Sequence, residues 1–198
     1  DIHEDGLTPD VRLVESLLAR VGIPLRVMVR PRNTFVVGDD AHREDIARDA
    51  AAFAQLPVDI VTGYFVRDAD GRAALDEDAL ALVAARVPMA RITVHRVVER
   101  LEVDPAAALH RHAAVDRVLS GGGSGTWALR ADALARLQAS IAPIRVVIGG
   151  GVTLDGIDAL VQQSTLRELH IGRVARTGAT FDAAVDAAIV ARIRAKWA

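Results

Sequence analysis

The chain contains no cysteine. Disulfides, thiolate nucleophiles and sulfur-rich metal sites are therefore excluded, and Met28 and Met89 are its only soft donors. It also lacks any run of one charge: 24 basic and 26 acidic residues give a formal net charge of -2. That balance argues against a nucleic-acid partner. No stretch approaches the roughly eighteen apolar residues of a membrane span, and the opening DIHEDG is unlike a signal peptide. The expectation is a cytoplasmic protein with no membrane partner. No H-E-x-x-H, P-loop or serine-elbow pattern is present.

What the chain does have is enough apolar material, 51% of 198 residues, for one domain with a sizeable core. Its organising stretch is Arg145 to Thr153, RVVIGGGVT, a buried strand running into bare glycines and a helix start. Glycines at such a joint allow positive φ and close approach of N–H groups, and the helix adds the positive end of its dipole. The motif recurs as RVLSGGG from Arg117 and ELHIGR from Glu168. Gly122, Gly123, Gly150, Gly151, Gly172 and Arg173 are accordingly the candidate binding residues for a small anion. The same glycines also suit turns that bind nothing.

Taken in order, Thr8-Pro9-Asp10 opens a helix to about Val21, with Thr8 as the cap. Leu25 to Val29 alternates into a strand with Arg30 at its exit. A helix from about Asp40 to Gln55 and a strand from Val58 to Gly63 follow, then a solvated turn at Asp68-Ala69-Asp70-Gly71. Asp76 caps a helix ending near Val87-Pro88. Ile92 to Val98 is the third strand, and Asp104-Pro105 opens a helix through about His112. Arg117 to Ser120, a helix from Trp127 to Ser140, the glycine stretch with a helix capped by Thr153, a strand from Leu166 to Ile171 and a helix from Phe181 to Trp197 complete the chain.

Strict alternation of strand and helix calls for a parallel sheet wound in one hand. Polar residues at alternate strand positions, such as Arg26 and Arg30, Thr93 and His95, or Glu168 and His170, suit the lined interior of a barrel. The expected fold is therefore α/β, a TIM-type (β/α) barrel in a single domain over 1–198, with a doubly wound sheet as the alternative.

Six ordered motifs then resemble the CutC family of copper homeostasis proteins: Gly6-Leu7-Thr8-Pro9, Val29-Arg30-Pro31-Arg32, His95-Arg96, Leu119-Ser120-Gly121-Gly122, Gly149-Gly150-Gly151 and Glu168-Leu169-His170. The resemblance implies a TIM-type barrel and a role in copper handling, with copper as the one suggested cofactor. Asn33-Thr34-Phe35 departs from the family's Gly-Gly-Asp-Phe segment, Asp5 stands where a second glycine is usual, and the family's proposed copper-holding cysteines have no counterpart. The family also places a strand, a helix and another strand ahead of Glu4-Asp5-Gly6. A barrel of this kind has eight strands and six are visible, so the native protein is expected to be longer, with the first strands missing from this chain.

Arg30, His95 and His170 fall at strand ends on the polar parity, where a barrel would gather them at its carboxyl rim. His95 is a candidate acid or base, Arg30 and Arg96 a candidate fork for a carboxylate or phosphate, and Glu4 a further candidate. No residue set suggests a metal centre. His110 and His112 lie two apart, and His3 and His42 have solvent-like surroundings. The expected functions are a CutC-type copper homeostasis protein, or a barrel lyase or isomerase acting on a phosphorylated or carboxylated metabolite, with a non-catalytic scaffold as a lower reading. The expected partner is a small anion or a copper ion, with a homo-oligomer possible.

Overall fold

The computed structural model describes residues 6–163 and 165–197. The chain divides into two compact units, residues 1–116 and 117–198, and each is described by itself.

The first unit begins with α1 (Val11–Leu18), where Asp10 accepts the Arg12 N–H. Thr8 was the expected cap, and the helix was expected to reach Val21. The Thr8 hydroxyl instead accepts the Arg30 N–H at 2.9 Å, while the Thr8 N–H donates to the Arg30 carbonyl at 3.1 Å. A distant partner has outcompeted the local cap. β1 (Leu25–Met28) leads to α2 (Asp40–Ala52), capped by Asp39. β2 (Val58–Thr62) is followed by an antiparallel hairpin, β3 (Phe65–Arg67) with β4 (Ala73–Leu75). The expected turn at 68–71 is the tip of that hairpin; its strands are three residues each, too short to show an alternation. α3 (Glu77–Arg86) starts on the Asp76 cap, whose Oδ1 accepts the Ala79 N–H.

β5 (Ile92–Val94) is four residues shorter than expected, because His95 caps a 3₁₀ turn over Arg96–Arg100. The β-branched pair Val97-Val98 suggested continued strand; a side-chain hydrogen bond from the following main chain overrode it. α4 (Ala106–His110) completes the unit. β1, β2 and β5 are parallel, with Val27 beside Ile60 and Ile60 beside Ile92. Ile46, Phe53, Ile60, Val83 and Ile92 are buried between strands and helices, each contributing about 1.5–3 kcal/mol by leaving water. On the other parity Arg26 donates to both oxygens of Asp116 and to the Thr93 hydroxyl, and lies 3.0 Å from Asp59. These are the alternate polar positions seen in the sequence, and they satisfy one another.

The second unit holds β6 (Val115–Ser120), α5 (Trp127–Ile141), β7 (Arg145–Ile148), α6 (Leu154–Leu160), β8 (Glu168–Leu169) and α7 (Ala187–Trp197). Its strands are parallel, Val118 beside Val146 and Ile148 beside Leu169. Thr126 caps α5 and Thr153 caps α6. β8 is far shorter than the Leu166–Ile171 expected, since the Leu166 N–H turns back to the Gln163 carbonyl. α7 starts six residues later than expected: Arg176 bridges Val185, Gly178 has φ 67°, and Asp186 accepts the Ala188 and Ile189 N–H groups. Periodicity alone ran the helix back to Phe181 across residues that tertiary pairing holds as a loop.

Candidate functional site

Three residues stand level at the carboxyl ends of the parallel strands in the first unit. Counting three places on from Val27, Ile60 and Ile92 gives Arg30, Gly63 and His95, and the ladder continues that far, with the Val29 N–H on the Val61 carbonyl and the His95 N–H on the Thr62 carbonyl. Arg30 and His95 therefore share a face on either side of a residue with no side chain. Gly63 has φ 156°, and a Cβ there would stand 2.8 Å from Val97 and 3.5 Å from His95 Cε1. The glycine is what makes room for the Val97 side chain. Sequence reading took Gly63 only as a strand end.

Both candidate side chains are interior: Arg30 is 1% exposed and His95 3%. His95 Nδ1 accepts the Val97 N–H at 3.1 Å, so the proton of the neutral ring sits on Nε2, where no acceptor is found among the described residues. Burial lowers the His95 pKa to about 3, helped by the positive charge of Arg30. The ring is a fixed neutral donor at physiological pH. Arg30 is held through its main chain by Thr8, its Nη2 donates to the Asn33 side chain at 3.2 Å, and its guanidinium lies 5.1 Å from the Phe35 ring centroid. The same ring meets His95 edge-on at 5.1 Å and has Arg100 4.6 Å from its centroid. Asn33 and Phe35 belong to the segment that departs from the family pattern, and sequence reading gave them no role. Only register and contact bring them to the site.

Behind β2 lies a second interior group that the sequence concealed. His42 was expected in a solvent-like setting; it is 1% exposed, packs edge-on against Tyr64 at 5.7 Å, and burial lowers its pKa. Its place near the start of a charged helix hid this. The Tyr64 hydroxyl is held to its neutral form by burial, and the nearby Thr62 hydroxyl gives its proton to the Val29 carbonyl instead.

The other candidates are placed differently. Arg96 is half-exposed, lies on the 3₁₀ turn and forks onto Glu99. Glu4 lies outside the described residues. His110 ends α4, while His112 leaves the helix and sits 3.2 Å from Glu77. His170, in the second unit, packs its ring against Gly149, and burial of the ring lowers its pKa, although the residue as a whole is exposed.

The glycine loops of the second unit are more occupied than the sequence suggested. The Gly122 N–H donates to Ser120 Oγ and the Gly149 N–H to the Ser120 carbonyl. Arg130 donates to the carbonyls of Gly121 and Gly150, and its guanidinium stacks 3.6 Å from the Trp127 ring centroid. Gly123, Gly150 and Gly151 have φ of 81°, 97° and 73°, so they answer a turn's demand for left-handed backbone. Positive φ at Gly150 means that valine there would strain the backbone. Gly151 and Arg173 line an open cleft of about 610 Å³ with Thr153, Arg176 and Ile189. Gly172 and Arg173 are exposed, and Arg173 lies over Phe181.

Among the described residues no group of three or more His, Asp or Glu stands together as a metal site. Met89 is 92% exposed, and the Met28 methyl lies against Gly6. Among the described residues no helix is long and apolar enough to cross a membrane.

Comparison with known proteins matches residues 1–175 to the CutC family. A CutC family protein of Rhizobium meliloti (strain 1021) is 35% identical over 172 residues, 83% of this chain and 66% of its own length. Another, from Xanthomonas campestris pv. campestris (strain B100), is 29% identical over 83% of this chain and 68% of its own. The chain thus spans only about two thirds of the curated relatives it matches. Among solved structures, a Streptococcus agalactiae protein described as copper homeostasis protein CutC superimposes with a TM-score of 0.73 at 20% identity, covering 86% of this chain and 84% of that one. That likeness establishes the fold, the TIM-type α/β class expected from the alternation of elements. The match across residues 1–175 makes the chain a member of the CutC family.

Proposed function

We propose that this protein serves copper homeostasis, the role named for its structural relative, by binding a small anionic ligand and not by ligating Cu(I) itself. One observation carries the reading: a buried guanidinium and a buried neutral imidazole, level across Gly63, with His95 Nε2 lacking an acceptor among the described residues. A buried donor left unsatisfied costs on the order of 1–3 kcal/mol, so an acceptor arriving there is stabilised. The donor chemistry supports the negative half, because Cu(I) prefers thiolate and thioether ligands and the chain has no cysteine. The ligand is assigned to the first unit because the glycine loops of the second already spend Gly122, Gly149 and Arg130 on internal bonds.

The test has two arms. Titration of Cu(I) against a competing chelator is expected to show no site tighter than exposed histidines provide. Thermal unfolding in the presence of small carboxylates, phosphate and sulfate is expected to show stabilisation, about 2.7 kcal/mol at a hundred times the dissociation constant. Tight Cu(I) binding, or no response to any anion, would refute the proposal. A lyase or isomerase reading is favoured by one feature, the interior Nε2–H of a neutral imidazole, which can polarise a substrate carbonyl. Turnover lost on replacing His95 would distinguish an enzyme from a binding protein.

A further inference from the structure

We propose that the cleft of the second unit is a binding site for a small organic anion, a molecule with an apolar body and one charged group, and that Arg173 supplies the charge that selects it. Neither Arg30 nor His95 takes part.

The space is present and its walls are built. The cleft holds about 610 Å³, inside the range of about 300–1,000 Å³ over which small-molecule sites fall. On one side Thr153 Oγ1 accepts the Gly156 N–H and fixes the start of α6. On the other, the segment after β8 is tied to the residues that lead into α7. The Asp186 N–H donates to the Ala175 carbonyl at 2.8 Å, the Thr177 N–H to the Ala184 carbonyl at 3.3 Å, and Arg176 Nη1 to the Ala183 carbonyl at 2.6 Å. A Cβ built on Gly151 would meet nothing within 4 Å, so that wall stands against open space and not against packed protein.

Two kinds of surface line this space. Val152, Leu154, Val174 and Ile189 make part of it apolar, and covering them removes carbon from water. The charged lining residues are Arg173, Arg176 and a single carboxylate, Asp155, which leaves the walls net positive. Arg176 is partly committed to Ala183. The Arg173 guanidinium has no acceptor among the described residues, and its face lies 5.1 Å from the Phe181 ring centroid, which leaves its N–H edge for a ligand. The surrounding unit has the same sign: residues 117–198 carry ten Lys or Arg and six Asp or Glu, and two of those acids, Glu168 and Asp158, are already paired with Arg117, Arg145 and Lys196. The excess charge draws anions. An inorganic anion would use the arginine and leave the apolar wall wet, while a neutral apolar molecule would do the reverse. Only a ligand with both parts uses both surfaces. A guanidinium accepts a carboxylate or a phosphate ester alike, so the two are separate arms of the test.

The test follows the methyl resonances of Val152, Val174 and Ile189 and the Arg173 Nε–H in the labelled chain at pH 7.5 and constant ionic strength. The probes are benzoate and phenyl phosphate, with benzyl alcohol as the body without charge and inorganic phosphate as the charge without body. At least one organic anion is expected to shift both the methyls and Arg173 saturably, with benzyl alcohol and inorganic phosphate weaker by about tenfold or more. Arg173→Met, which keeps an apolar stem, is expected to weaken the organic anion by about tenfold and leave benzyl alcohol unchanged, and Arg173→Lys to recover part of the loss. Benzyl alcohol binding as tightly as the organic anions, or organic-anion binding undiminished in Arg173→Met, would overturn the role of the charge and with it the proposal. Inorganic phosphate binding as tightly would overturn the role of the apolar wall. No response at the cleft to any probe would overturn the site itself. His95 is followed in the same spectra, so a response there without one at the cleft would sink this proposal and leave the anion reading of the first unit standing. Should the variants fail to fold, the four titrations of the unaltered chain decide.

Discussion

The two compact units carry the same kind of joint, a parallel strand ending in residues fit for chemistry, and use it in opposite ways. In the first, the strand ends are occupied by side chains: Arg30 and His95 are buried, and Gly63 stands level with them, where a Cβ would meet Val97. In the second, the strand ends are glycines, and the functional-looking backbone is spent on the structure itself, with Arg130 tying Gly121 to Gly150. A glycine-rich loop is thus weaker evidence of a ligand than a buried donor lacking a partner. A turn accounts for the former; nothing in the described protein accounts for the latter.

The largest effect expected from this contrast is at Arg130. Arg130→Met removes charged donors from two glycine carbonyls and the cation from the face of Trp127, and should destabilise by about 3 kcal/mol. Equilibrium urea unfolding measures it, and a change under 1 kcal/mol would show that the loops hold themselves. Anion binding by the first unit should survive this change under native conditions.

Acid sensitivity should come from the first unit. The folded pKa of His95, about 3, lies below the unfolded value near 6.5, so the unfolded chain binds the extra proton between those limits. Stability attributable to His95 is therefore full above pH 6.5 and falls by at most about 1.4 kcal/mol per pH unit as pH drops towards 3. His42 and His170, also shifted down, act in the same direction. Unfolding free energies of His95→Gln and the parent between pH 7 and pH 4.5 should differ in slope, the variant being flatter. Equal slopes would mean that His95 is protonated in the folded protein.

A smaller cost belongs to Gly150→Val. At φ 97° a β-branched residue should cost about 1–2 kcal/mol, measured by the shift in urea midpoint, and it should leave anion binding by the first unit untouched. Loss of that binding would return the anion to the glycine loops. Least of all is expected from Arg96→Ala: its pair with Glu99 is open to solvent on the arginine side, worth under about 1 kcal/mol, and anion binding by the first unit should persist.

Much of this protein could be read from its sequence because the relevant physics is local. Alternating apolar runs, helix caps at Asp76 and Thr153, and the regular order of strand and helix follow from period and short-range hydrogen bonding, and they sufficed for the α/β barrel class and for placing Arg30 and His95 on one parity. Other features were decided only by tertiary structure, since they depend on residues far apart in the chain. Thr8 left its expected helix cap for Arg30, twenty-two positions away, an exchange that no local preference encodes. His42 became interior because Tyr64 packs against it. Arg30 and His95 came level because β2 pairs in register with both their strands, with Gly63 between them. Sequence period fixes the face on which a side chain stands; strand register decides what stands beside it, and the unsatisfied proton on His95 Nε2 exists only once that register has formed.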